Sequence, residues 1–349
     1  MLQEKRVLTC TWAPTAFEGP KVAQSKLREP RQMPKGPELR DLIQRFSDRI
    51  ESLGLSHLLI AQRWWGSGLE IEGSTLDCTA MTSLFAAYTK STNLVTAIHP
   101  GFFHPGTLAK WAATIDQISG GRWAINITSG WNLQEFDMYG VSRLEHDERY
   151  DRSKEFIEIL KTVWSDSPVS YQGKYFEINE LQLEPRPTSP LTIFQGGQSE
   201  AAIDMAASHS DWMFLNGGSL EKITTLIAKV RKKADCHNRK IRFALYANPL
   251  CRRSDAEAWS EIKERINSID PDLRAKRQLT TSGAQGMWAN DDDLSYLDTN
   301  EGYSSRLIGS PETIIDRVEE FRVAGVDMLH VTLGDTLFEK AVLPQVIAS

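Results

Sequence analysis

Eight short runs rich in β-branched and aromatic residues recur along this chain, each followed by a stretch whose apolar positions have helical spacing. No other feature limits the fold as strongly. The runs are Val7–Trp12, His57–Ala61, Leu94–Ile98, Trp123–Ile127, Leu191–Phe194, Trp212–Leu215, Ile241–Ala247 and Met328–Thr332. Helix-like segments begin near Leu39, Thr75, Gly106, Asp147, Ser199, Ser219, Ser254 and Pro311, with first-turn signals at Ser199 and Pro311. Strands separated by helices pair in parallel through crossovers, and eight such units are the count of a closed (β/α)8 barrel. A length of 349 residues could hold two domains. Barrels of this kind reach that size as one unit, so the expectation is a single α/β domain over residues 1–349.

Three stretches interrupt the rhythm. Residues 13–38 are rich in Pro, Lys and Arg and predict a long loop after the first strand. Residues 169–187, "VSYQGKYFEINELQLEPRP", predict a hairpin turning at Gln172–Gly173 and inserted before the fifth strand. Residues 268–306, polar and containing Trp288, fall between strands seven and eight, on the face where barrels do their chemistry, and predict a lid.

Composition removes several function classes. A net charge of -6 gives no basic field for nucleic acid. The N-terminal "MLQEKRVLTCTW" has no apolar signal core, and no run approaches the roughly 18 apolar residues of a membrane span, which predicts a cytoplasmic protein. Cys10, Cys78, Cys236 and Cys251 have no CxxC spacing, and the histidines form no HxH or HExxH, so no metal site is expected. A GxSxG elbow is also absent.

The strongest local signal is "LTIFQGGQSEAA", residues 191–202. A buried strand runs into two glycines, and Ser199 then opens a helix whose free N–H groups suit a phosphate. In "LEHDERYDRSKEFIEILKTVW", residues 144–164, Arg149 and Tyr150 fall in a first helical turn, where a cation and a phenol could clamp a second side of that phosphate. Asn126, Thr128 and Ser129 close the fourth strand, and Glu135 follows Trp131. Polar side chains at the C-terminal end of a barrel strand mark a site. Trp12, Trp64, Trp65, Phe102, Phe103, Trp131, Tyr246 and Trp288 all follow or end strands, which predicts an aromatic pocket for a flat heterocycle and a small substrate.

"ATIDQISGGRWAINITSGW", "EHDERYDRSKEFIEILKTVW", "IFQGGQSEAA" and "LIGSPETIIDRVEEFRVAGVD", in that order, resemble the bacterial-luciferase-like flavin monooxygenases. Within them the likeness is nearest to the FMNH2-dependent dimethyl sulfone and alkanesulfonate group. It covers nearly the whole chain, and implies a TIM barrel binding FMN at its C-terminal mouth. By match, Gly197, Gln198 and Ser199 with Arg149 and Tyr150 take the phosphate. Gln62 and Arg63 match positions beside the flavin ring, Asn126 one beside its reactive edge and Glu135 another flavin contact, with Ser129 following Asn126 at the end of strand four as a further cofactor-binding candidate. The resemblance also implies O2 as co-substrate, reduced flavin supplied by a separate NAD(P)H-dependent flavin reductase, and a homo-dimer or homo-tetramer.

The catalytic candidates are Asn126, Tyr246 and Asn248 at positions matched to the family, together with the late-loop Trp288. Where alkanesulfonate enzymes of the family carry Arg and His on strand seven and Arg in the late loop, this sequence has Tyr246, Asn248 and Glu301. A sulfonate would lose its cations there. The expectation is therefore oxidation, with C–S cleavage, of a small neutral organosulfur compound such as a sulfone. An alkanesulfonate, a pyrimidine-like amide or another small xenobiotic is the alternative.

Overall fold

A computed structural model describes residues 6–17, 32–64, 73–280, 293–298 and 300–347. Its eight barrel strands are β1 (Leu8–Trp12), β2 (His57–Ile60), β3 (Asn93–Ile98), β4 (Trp123–Ile127), β5 (Ile193–Gly196), β6 (Trp212–Leu215), β7 (Arg242–Ala247) and β8 (Met328–Val331). Each pairs in parallel with the next, and β8 closes on β1 through Leu8–Met328 and Cys10–His330. Alternate residues serve two cores. Cys10, Leu59, Val95, Ala124, Phe194 and Ala244 fill the barrel interior, while Leu58, Leu94, Ile125, Ile193, Met213 and Leu245 face the helices. Burial on both faces explains why these strands read as near-continuous apolar runs.

The surrounding helices are α1 (Pro37–Ser52), α2 (Cys78–Tyr88), α3 (Pro105–Ser119), α4 (Leu133–Met138), α5 (His146–Ser165), α6 (Glu200–His209), α7 (Leu220–Asp235), α8 (Asp255–Asn267), α9 (Pro271–Thr280), α10 (Pro311–Ala324) and α11 (Leu343–Val346). Side chains of Asp77, Ser199, Ser219, Ser254 and Ser310 accept first-turn N–H groups of α2, α6, α7, α8 and α10. Each such cap contributes about 1 kcal/mol. Among the described residues, no helix is long and apolar enough to cross a membrane, and no cluster of His, Cys, Asp and Glu could hold a metal.

The sequence reading needs three adjustments. The fifth strand runs from Ile193 through Gly196, two residues later than expected, because its pairing with β4 starts at Ile125–Ile193. The second helix begins at Cys78 rather than near Thr75, since Ser74–Thr75 pairs with Ala16–Phe17 and Asp77 supplies the cap. Within 268–306, Pro271 and Asp272 start α9, and 3-10 turns occupy Asp293–Tyr296 and Gly302–Ser305.

The predicted hairpin is present as Val169–Gln172 against Glu177–Leu181. Glu155 of α5 holds it. Its carboxylate accepts the backbone N–H groups of Lys174, Tyr175 and Phe176. An ideal Cβ on Gly173 would lie 2.1 Å from Glu155 Oε1, so only glycine lets the turn come this close.

Candidate active site

At the C-terminal mouth, the inward alternation divides the ring into two arcs. On β2 to β5 the last inward positions are small: Ala61, Ala97 and Gly196, with Asn126 between them on β4. On β6, β7, β8 and β1 they are Phe214, Tyr246, His330 and Trp12. These four touch one another, with ring centroids of His330 at 4.5 Å from Trp12, 5.2 Å from Tyr246 and 5.5 Å from Phe214. One half of the mouth is hollow and the other is an aromatic wall. A Cβ built on Gly196 meets nothing within 4 Å, so the hollow begins at the strand backbone itself.

The hollow leads to a positively charged end. Gly197 has φ 110°, and an ideal Cβ there would lie 2.9 Å from Tyr150 Oη and 3.0 Å from Ala202 Cβ. The phenol of Tyr150 hydrogen-bonds Ser199, the cap of α6, and burial raises its pKa. Arg149 and Arg152 lie one turn apart on α5 and are only 4% and 8% exposed. Burial lowers the pKa of both guanidiniums, and Glu145 lies close enough to Arg149 to offset part of that. Arg152 packs against the Phe136 ring at 5.8 Å, and its Nε has no hydrogen-bond partner among the described residues.

Along the rim, Gln62 Oε1 accepts the His99 N–H at 2.7 Å, and Gln62 Nε2 and His99 Nδ1 have no partners among the described residues. The His99 imidazole is held neutral, its pKa pushed down to about 3 by burial and by the nearby Arg63 and Arg152. Asn126 is buried and its Oδ1 also lacks a partner. Glu135, buried in α4, accepts the Trp64 N–H at 3.1 Å, and Ser129 Oγ meets Ser153 Oγ at 2.9 Å. Gly130, with φ 98°, passes so close to Phe136 that a Cβ would come within 2.5 Å of its ring. The segment after β4 is thereby pressed onto α4.

The aromatics expected to form one pocket divide. Trp12 and Tyr246 stand in the wall. Trp64, Phe102 and Phe103 instead form a cluster with Tyr139 that binds the loops after β2 and β3 to α4. Trp131 lies under Arg63 at 5.7 Å. Trp65 and Trp288 fall outside the described residues.

Behind the wall, Tyr246 Oη is 3.1 Å from Thr332 Oγ1, and burial pushes its pKa far up, so the phenol stays protonated. Asn248 Nδ2 donates to Asp298. That carboxylate also accepts the N–H groups of Asn300, Gly302 and Tyr303. Asn248 thus ties the late segment to the end of β7. Glu301, aligned with a family cation, is buried with φ 58° beside this turn, whereas Arg306 is exposed.

With this geometry in view, comparison decides the lineage. The profile of the luciferase-like monooxygenases matches residues 21–328. The chain belongs to that family. A dimethylsulfone monooxygenase of Pseudomonas fluorescens (strain Pf0-1), named FMNH2-dependent, is 33% identical over 319 residues, covering 88% of this chain and 87% of that protein. One from Pseudomonas putida is 34% identical over 320 residues, 88% of each. Among solved structures, a long-chain alkane monooxygenase superposes with TM-score 0.80 at 18% identity, covering 99% of this chain and 93% of that one. DmoA from Hyphomicrobium sulfonivorans gives TM-score 0.72 at 19% identity, covering 97% and 88%. These structural likenesses speak for the fold.

In this luciferase-like chain, sequence reasoning passed over Arg152, His99 and His330. Arg152 lies at i+3 from Arg149, a helical neighbour on the same face. His330 follows Met328 by two, which places both inside the barrel.

Proposed function

We propose that this chain is an FMNH2- and O2-dependent monooxygenase, fed by a separate NAD(P)H-dependent flavin reductase, that oxidises a small neutral organosulfur compound of the sulfone type with C–S cleavage. The two Pseudomonas relatives support the reaction class and substrate type. We further take residues 1–349 to act as one unit, in the cytoplasm and as a homo-dimer or homo-tetramer.

The hollow arc fits FMN. Buried atoms on Gln62, His99 and Asn126 have no partner among the described residues, and a Cβ on Gly196 meets nothing within 4 Å. Arg149, Tyr150, Arg152, Gly197, Gln198 and Ser199 would hold the phosphate. Gln62, Asn126 and His99 would meet polar ring atoms, with Arg63, Ser129 and Glu135 supporting them. Reduced FMN supplies the electrons and the place where O2 is activated. The chain's own part is to bind, to exclude water and to orient. Trp12, Phe214 and Tyr246 give an apolar face against which a small molecule lies without water. Asn248, through Asp298, fixes the root of the segment that carries Trp288, which we assign to closing the site.

The observation that carries the substrate reading is that the wall side chains Trp12, Phe214, Tyr246 and His330 include no cation, with the Asp298 carboxylate acting on Tyr246. Tyr246 remains a protonated phenol, Asn248 is an amide, and the buried guanidiniums Arg149 and Arg152 belong to the other arc. The phenol and the amide do not neutralise an anion, and their polar atoms are engaged with Thr332 and Asp298. The test is the ratio of kcat/KM for dimethyl sulfone and for methanesulfonate at fixed ionic strength, with pyrimidine amides as a third class. Preference for the sulfonate would refute the reading. Tyr246→Arg with Asn248→His should move the preference toward sulfonate.

A further inference from the structure

Two histidines inside the barrel differ in how their polar atoms are satisfied. At the closed end, His57 packs against Phe194 and Trp212, and its Nδ1 is 2.8 Å from Ser56 Oγ. That is a packed histidine with a partner, which needs no further role. At the mouth, His330 projects inward from β8 opposite Tyr246 and is 2% exposed. Its ring is enclosed by Trp12, Tyr246 and Phe214, and its Nε2 has no partner among the described residues. Neighbouring polar groups are already engaged, Tyr246 with Thr332 and Asn248 with Asp298. An unpartnered donor in an aromatic enclosure weakens the fold, and a leucine of similar size would fill the place at no such cost. A ligand arriving there would give the buried nitrogen the partner it lacks among the described residues.

We propose that His330 determines substrate specificity: its neutral imidazole donates Nε2–H to an oxygen of a small, uncharged sulfonyl substrate held against Trp12 and Tyr246. This rests on the function proposed above and assigns the recognition of that substrate to a residue. A sulfone oxygen only accepts hydrogen bonds, so the complex requires the tautomer with the proton on Nε2. Burial pushes the pKa of His330 down to about 3, so the ring brings no positive charge across the working pH range. A sulfonate placed there would meet a dipole where it needs a cation. Specificity then comes from a donor that cannot become charged.

The test uses the full chain with FMNH2, its reductase and dimethyl sulfone as probe. His330→Leu should lower kcat/KM for dimethyl sulfone by about tenfold, mainly through KM, as expected for a lost hydrogen bond in a buried site. Affinity for FMNH2 should stay within about twofold, since the flavin lies on the other arc, and the melting temperature should not fall. His330→Gln, which keeps a donor, should recover part of the loss. A leucine variant with unchanged KM overturns the proposal. A second measurement does not depend on the variants folding: in 15N-labelled protein with FMNH2 under anaerobic conditions, the His330 Nε2 signal must move on adding dimethyl sulfone. No movement overturns the assignment. Failure of the underlying function looks different, because the unmodified enzyme would then not turn over the sulfone at all, and both conclusions would fall together.

Discussion

Gly196 offers the sharpest test of where the cofactor lies, because its empty surroundings make fold and binding respond in opposite directions. Alanine there adds a methyl that meets no atom within 4 Å, and the backbone φ lies outside the left-handed region that would strain it. Without flavin, Gly196→Ala should leave stability unchanged or raise it by about 0.4–1 kcal/mol through the less flexible unfolded chain. If the flavin ring rests on this part of β5, the same methyl overpacks the complex by about 1–3 kcal/mol. That corresponds to a dissociation constant raised roughly 5- to 150-fold. Gly196→Val should weaken binding further. Thermal denaturation of the flavin-free protein reads the first effect, and anaerobic titration with FMNH2 reads the second. Unchanged affinity in both variants, with melting temperature maintained, would show that the hollow above Gly196 is not the cofactor's place.

Three further outcomes follow from the same geometry. Arg152→Met should raise the stability of the flavin-free protein by removing a buried charge, yet weaken FMN by about 1.5–3 kcal/mol while leaving riboflavin unaffected; equal effects on FMN and riboflavin would take Arg152 away from the phosphate. Glu155→Gln should cost about 2 kcal/mol, because one amide oxygen replaces a carboxylate serving three N–H groups, and limited proteolysis should then cut first near residues 173–176. His57, His99 and His330 are neutral in the fold, with pKa values of about 4, 3 and 3. The unfolded chain protonates its histidines near 6.5, so it binds more protons below that pH. Stability should be full above about pH 6.5 and fall toward pH 3–4, by up to about 1.4 kcal/mol per pH unit for each histidine. A flat denaturant midpoint between pH 7 and 4 would contradict this, and His330→Leu should reduce the slope.

The barrel was legible because each strand is buried on both faces and each crossover helix carries its own apolar stripe. Boundaries slipped where a neighbour decides them. Thr75 looks like a helix start until Ala16 takes it into a strand pair, and the fifth strand starts where β4 offers Ile125. The glycine turn at Gly197, the α6 cap at Ser199 and the first-turn place of Arg149 were legible because glycine turns and helix starts are local. What escaped depends on absent partners. Ser56, which satisfies His57, is its sequence neighbour, whereas nothing in the sequence shows that His330 Nε2 meets no partner among the described residues. Asn248 resembled a free pocket amide because Asp298, fifty positions along, lies far from it in sequence.

The hollow arc and the aromatic wall are also separate stretches of chain. Apart from Trp12, the strands of the hollow lie between residues 57 and 196 and those of the wall between 212 and 331. One crossover within α6 could therefore join the first part of one relative to the last part of another. With flavin and substrate on the two arcs as proposed above, the offspring would inherit its flavin grip from one parent and its appetite from the other. New substrates could then spread through the family by recombination, with the oxygen-handling half passed on intact.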